Sequence, residues 1–255
     1  IGQFNPMDLS GTAWAFAKLA ECDRPLLDAL ASASLRSIAD FKAQDLSNTA
    51  WSLATLDVRD CPLLDSIASA AISPIPSTRA VFNAQDLANT AWSFATLGIL
   101  HSPLRKAISA AARRNIGAFR AQELANTAWA FASRGCADAP LFDSIAAAAL
   151  ARIGYCSPPE LAATAWSFAR LGFVNDPLFA AISSAAIPIL SSFSPQHVAN
   201  TAWSFAKLAV VDGPLIAALS AAARPHMGQF AVQELANTAW AFSTPQGDNC
   251  PLRAA

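Results

Sequence analysis

A chain of 255 residues with a formal charge of −1 and a pI near 6.3 carries no global basic signal for nucleic acid. Its apolar content is 54 % against 14 % charged residues, yet much of it is alanine and no apolar run reaches the roughly 18 residues of a membrane span. Ten glycines, a single tyrosine and few β-branched runs argue against sheets and for an all-α chain.

The predicted elements fall into seven units, each built around one of the seven tryptophans, whose successive spacings are 37, 41, 37, 37, 37 and 37. A fixed period in this range marks a stacked-repeat architecture. The first unit, 4–40, opens with Asn5-Pro6 as N-cap and first helical residue, runs through Trp14, and starts a second helix at Pro25. The second unit, 41–81, repeats this around Trp51 and Pro62 and ends in Ser73-Pro74-Ile75-Pro76-Ser77. That stretch supplies the four extra residues of the 41-residue step and reads as a longer surface loop. The third, 82–118, has Asn83 as cap, Gly98 as helix stop and Pro103. The fourth, 119–155, contains ELANTAWAFA from Glu123 to Ala132, then Gly135 and a second helix PLFDSIAAAALARI. The fifth, 156–192, and sixth, 193–229, begin with Ser157-Pro158 and Ser194-Pro195. The seventh, 230–255, reaches Pro251 with too few residues for a second helix, so the chain is expected to be a segment of a longer protein.

Several columns hold through the array. Thr-Ala precedes every tryptophan, Pro-Leu follows eleven residues later, and phenylalanine stands ten residues before it in six units, Cys156 being the exception. An acid occupies the third helical position at Asp8, Asp45, Asp86, Glu123, Glu160 and Glu234, where it suits a capping box and the helix dipole. Numbered from the tryptophan, apolar residues at −5, −1, +2, +3 and +5 form one arc of the first helix, directed at the second helix and the adjacent units. The tryptophan lies at the edge of that arc, either wedged between neighbouring repeats or serving as a platform on which bases stack.

Opposite the arc, positions −3, +1 and +4 make a polar stripe of short hydrogen-bonding groups, expected to line up across stacked repeats as a continuous inner surface along which RNA would bind. Its candidates for facing RNA bases are Lys18, Asn48, Ser52, Thr55, Asn89, Ser93, Thr96, Asn126, Ser133, Arg170, Asn200, Lys207 and Asn237. A merely solvated face explains the polarity, but less well the asparagine kept at −3 in five units. Charge is sorted too. The turns inside the units carry Glu21, Asp23, Asp57, Asp60, Asp138, Asp176, Asp212 and Asp248 against Arg24 and Arg59, whereas those between units carry Arg36, Lys42, Arg79, Arg113, Arg114, Arg120 and Arg152, candidates for phosphate contacts. Solvated loops are the competing explanation. Cys22, Cys61, Cys136, Cys156 and Cys250 have no C-x-x-C spacing, and no histidines, acids or glycine-rich loop converge on a catalytic, metal or cofactor site. An enzyme, a cofactor and a small-molecule substrate are therefore not expected.

With Gln122-Glu123-Leu124-Ala125-Asn126-Thr127-Ala128-Trp129 and its counterparts spread over essentially the whole chain, the sequence resembles the octotricopeptide-repeat and heptatricopeptide-repeat proteins. The resemblance implies a right-handed α-solenoid of seven 37-residue helix-turn-helix repeats, the last truncated. It also implies single-stranded RNA or rRNA binding in a plastid or mitochondrion: transcript stabilisation, processing, translation or ribosome assembly. Gly11 and Ala163 depart from the asparagine column and His197 from the acidic one. The alternative reading is a scaffold subunit making mainly protein contacts in a larger ribonucleoprotein, which the near-neutral charge favours. If the stripe reads one base per unit, the Asn-Ser-Thr triplets around Trp51 and Trp92 and the Asn-Ala-Ser triplet around Trp129 predict a short run of one preferred base.

Overall fold

The structure is a computed structural model that describes residues 1, 3–72 and 82–243. The insertion at 73–77, Arg79, Thr244 and the Pro251–Ala255 segment lie outside the described residues. Among the described residues there are thirteen α-helices and no strand. The repeats pair α1 (Pro6–Leu19) with α2 (Arg24–Ser37), α3 (Ala43–Thr55) with α4 (Cys61–Ile72), and α5 (Ala84–Thr96) with α6 (Ser102–Arg114). They continue with α7 (Ala121–Ser133) and α8 (Ala139–Leu150), α9 (Pro158–Leu171) and α10 (Asp176–Ala186), and α11 (Pro195–Lys207) and α12 (Gly213–Ala223). The last described helix is α13 (Val232–Ser243), the first helix of the seventh repeat. No described helix is long and apolar enough to cross a membrane.

The helices group into two compact units, 1–118 and 119–255, divided at the boundary between the third and fourth repeats. Within the first unit α1 packs on α3 and α3 on α5; within the second α7, α9, α11 and α13 follow one another in the same way. Within each unit the helices thus pack on their own partners and on sequential neighbours, as in an α-solenoid. First helices lie against one another far more extensively than second helices do, so they form the tighter layer.

Local chemistry explains where each helix starts and stops. The backbone N–H of the N-cap residue donates to the acid three positions on: Asn5 to Asp8 and Lys42 to Asp45 at 3.0 Å, Asn83 to Asp86 at 3.1 Å, Ser157 to Glu160 at 2.6 Å and Ala231 to Glu234 at 2.7 Å. Where that position holds His197, the Ser194 N–H donates to ring Nδ1 at 3.3 Å, so the departure keeps the role. Second helices begin one residue before the proline, with the cap at +9. Asp23, Asp60, Asp138, Asn175 and Asp212 each accept the N–H of the leucine three residues on, at 2.9–3.1 Å. In the third repeat His101 Nδ1 takes that place at 3.1 Å. Much of the acidic edge is therefore a row of helix caps.

First helices end in one left-handed residue at +6, with the next N–H reaching back to the carbonyl of the +2 residue. Ile99 donates to Phe94, Cys136 to Phe131, Phe173 to Phe168 and Val210 to Phe205, each at 2.9 Å. Gly98, Gly135 and Gly172 hold this position at φ 76°, 66° and 74°, whereas Ala20, Asp57 and Ala209 are forced into it at 55°, 51° and 54°. The apolar columns at −5, −1 and +3 are buried as the periodicity requires, with Leu46, Ala50 and Ala54 typical of them. In the second unit phenylalanines bridge successive repeats: Phe142 meets Phe168 and Phe179 meets Phe205 edge to face, both with centroids 5.0 Å apart.

Candidate nucleic-acid interface

The outward face of the first helix is set by which residues the neighbouring first helices leave uncovered. In α3 these are Gln44, Asn48, Trp51 and Thr55, and in α5 Gln85, Asn89, Trp92 and Thr96. Their spacing of 4, 3 and 4 residues is one straight stripe along a helix. In the second unit the same stripe reads Gln122-Asn126-Trp129-Ser133, Pro159-Ala163-Trp166-Arg170 and Gln196-Asn200-Trp203-Lys207. It ends with Gln233-Asn237-Trp240 and begins, in α1, with Met7-Gly11-Trp14-Lys18.

This corrects the expected stripe at one column. Ser52 and Ser93 at +1 have no exposed surface, and their hydroxyls donate to the Asn48 and Asn89 carbonyls at 2.7 and 2.6 Å. Ser167 and Ser204 do the same. Small residues at +1 let adjacent first helices approach, so those hydroxyls belong to the packing and are closed to a ligand. The other expected base-facing residues keep open surface. Thr55, Thr96, Lys18, Arg170 and Lys207 are exposed, while Asn48, Asn89, Asn126, Asn200, Asn237 and Ser133 are half-buried. Ser133 donates to the Ala130 carbonyl at 3.1 Å. The five asparagine amides have no protein partner among the described residues, so each offers a donor and an acceptor.

The tryptophans belong to this stripe. Five are half-buried, and Trp14 and Trp240 are each 43 % exposed. Each indole therefore keeps part of its surface open and part covered. Lys18 Nζ lies 5.5 Å from the Trp14 ring and 5.2 Å from that of Trp51, and Trp203 and Trp240 have centroids 6.4 Å apart. The glutamine column at −7 joins the site without being expected from the sequence. Its spacing of four from the asparagine is the signal that could have found it.

The phosphate candidates divide. Arg36, Arg113 and Arg114 are exposed and form no ion pair among the described residues. Lys42 is exposed and lines one cleft of about 440 Å³ with Gln44 and Asn48, a basic side chain beside two of the stripe amides. Arg120 is bound to Glu123, its Nε donating at 2.9 Å and its Nη2 contacting the same carboxylate. Arg152 Nη1 donates to the Ala148 carbonyl at 3.0 Å and closes the end of α8. These two are partly spent on structure.

Among the described residues no group of His, Cys, Asp and Glu could hold a metal ion. Burial pushes the Cys156 thiol up to about 11, which leaves it protonated and unreactive at neutral pH. What the surface presents is a row of amides and half-open indoles, flanked by basic turns.

The fold defines the class, an α-solenoid of helical repeats. The family model of the RNA-editing substrate-binding complex 6 protein matches residues 1–134 and 77–247 of it. The chain belongs to that family. No curated protein is similar enough to be matched.

Proposed function

We propose that this chain is a single-stranded RNA-binding module of an RNA-editing ribonucleoprotein, holding its RNA along the Gln-Asn-Trp-Thr stripe of the first helices. The observation that carries the reading is the stripe itself: one unpartnered amide beside one half-open indole in repeat after repeat. Indoles stack on any base, and an amide can read a base edge. Arg36, Lys42, Arg113 and Arg114 supply the phosphate contacts. The family's name, which pairs substrate binding with RNA editing, agrees with this and points to RNA processing among the roles implied by the octotricopeptide-like sequence. The compartment proposed is the mitochondrion; the family lends no support to a plastid. The module is proposed to act by binding, without catalysis.

A salt titration of binding to a single-stranded RNA oligonucleotide tests this. Each phosphate contact contributes roughly −0.7 to the slope of log K against log salt, so three or four contacts give a slope of about −2 to −3. The second reading, a scaffold gripping protein partners, draws on the formal charge of −1 and on the internal use of Arg120 and Arg152. A flat salt dependence, or no binding, would favour it.

A further inference from the structure

The stripe is interrupted twice, and both interruptions have the same form. Five repeats carry glutamine at −7 together with asparagine at −3; the first and fifth lack both, with Met7-Gly11 and Pro159-Ala163 in their place. Where the asparagine side chain is missing, a cleft opens toward the next repeat. One of about 440 Å³ borders Gly11, Gln44 and Asn48, and one of about 310 Å³ borders Ala163, Gln196 and Asn200. The two clefts differ in their walls. Asp40, Asp45 and Lys42 line the first, which has no aromatic residue in its lining, whereas no carboxylate lines the second. Instead Trp129 and Trp166 form its aromatic walls, and His197 and the Gln196 and Asn200 amides supply the polar ones.

Resting on the RNA-binding reading above, we infer that the fifth-repeat cleft receives one unpaired purine base turned out of the bound strand. A cleft of about 310 Å³ has room for a bicyclic base, and stacking on indole rewards the larger ring system. Paired donor and acceptor groups of an asparagine or glutamine amide match the edge of adenine. His197 adds a fixed donor, because its Nδ1 accepts the Ser194 N–H at 3.3 Å, leaving Nε2 as the protonated nitrogen of the neutral ring. Asn200 has no protein partner among the described residues, so binding a base breaks no existing bond there. The consequence is uneven reading: the fifth repeat selects by enclosure, its neighbours by surface contact.

The test uses the full chain and two RNAs of about 12 nucleotides, one of uridine only and one with a single central adenosine, titrated by fluorescence anisotropy. The adenosine-bearing RNA is expected to bind about tenfold more tightly, the size of one stacked and hydrogen-bonded base. Ala163→Leu fills the cleft from a half-exposed helix position, and is expected to abolish that preference, so that the ratio of the two affinities falls to about one. Gln196→Ala, at an exposed position, should reduce the preference by a smaller factor. Equal affinities in the unaltered chain, or a tenfold preference that survives Ala163→Leu, would overturn the cleft assignment alone. Failure of both RNAs to bind would overturn it together with the RNA-binding reading.

Discussion

Asp86 shows how a single buried acid ties one repeat to the next. Its carboxylate accepts from the Ser47 hydroxyl of the preceding first helix at 2.9 Å and from its own N-cap N–H, and Asp45 accepts from Ser10 at 3.0 Å in the same way. Where the residue at −4 is alanine, the next repeat has glutamate at −6, as in Ala125 with Glu160 and Ala199 with Glu234, except that His197 follows Ala162; the repeats with serine are followed by the shorter aspartate. Burial raises the Asp86 carboxyl above its ordinary 3.8, against the opposing pull of the Asn83 backbone and the Ser47 hydroxyl. The folded state therefore binds this proton more tightly than the unfolded chain, a contribution to stability present below 3.8 and lost as pH rises through the folded value. Ser47→Ala removes a bond to a charged acceptor. It is expected to raise the Asp86 value further and to cost about 1.5–3 kcal/mol at pH 7, with a smaller loss at pH 3 where the acid is neutral. Urea unfolding at the two pH values, with carboxyl titration by NMR, reads both effects; an equal loss at each pH would exclude a charge-dependent bond.

At the scale of the helix, the left-handed stop at +6 is a position the repeats fill unequally. Nothing lies within 4 Å of the place a β-carbon would take on Gly172, so Gly172→Ala tests backbone strain alone and is expected to cost about 1 kcal/mol. Ala209→Gly should gain about 0.5–1 kcal/mol, the relief of strain being partly offset by the freedom glycine has in the unfolded chain. Thermal unfolding of the pair measures opposite shifts, and a loss in both would mean that the turn is held by something other than φ. The same comparison shows what is legible in the sequence. Helix starts and stops are, because proline, capping residues and glycine act within one turn of chain. Second helices begin a residue earlier than the proline column predicts, because the acids at +9 are their caps and not merely turn residues. The face of the first helix differs from expectation at +1, since periodicity alone does not say that first helices pack so closely on one another. That closeness buries Ser52 and Ser93 and leaves Trp51 and Trp92 partly uncovered. Gln44 and Gln85 escape a sequence reading for a related reason: they stand near the helix start, where polar residues are accounted for by capping.

For the whole molecule, what matters is which repeats present the same stripe to a strand. The stripes of the second and third repeats are identical, Gln44-Asn48-Trp51-Thr55 and Gln85-Asn89-Trp92-Thr96, and both lie in the first compact unit. The fourth differs only by Ser133 for threonine, which keeps the hydroxyl. The first, fifth and sixth carry Lys18, Arg170 and Lys207 at the last stripe position, where a flexible cation adds affinity without reading a base edge. On the proposed reading, identical stripe groups prefer the same base, so selection from a random RNA pool is expected to return two adjacent positions with one shared preference. Asn89→Ala should relax one of those positions by about 1–3 kcal/mol of discrimination and leave the salt slope intact. Arg113→Ala combined with Arg114→Ala should do the reverse, weakening all sequences alike and reducing the slope by about 1.4 if both reach phosphates. The two variants separate base reading from charge, because the asparagine carries no charge and the arginines lie outside the stripe. If Asn89→Ala leaves the selected sequence unchanged while the arginine pair abolishes binding, the first helices hold RNA by charge and stacking alone.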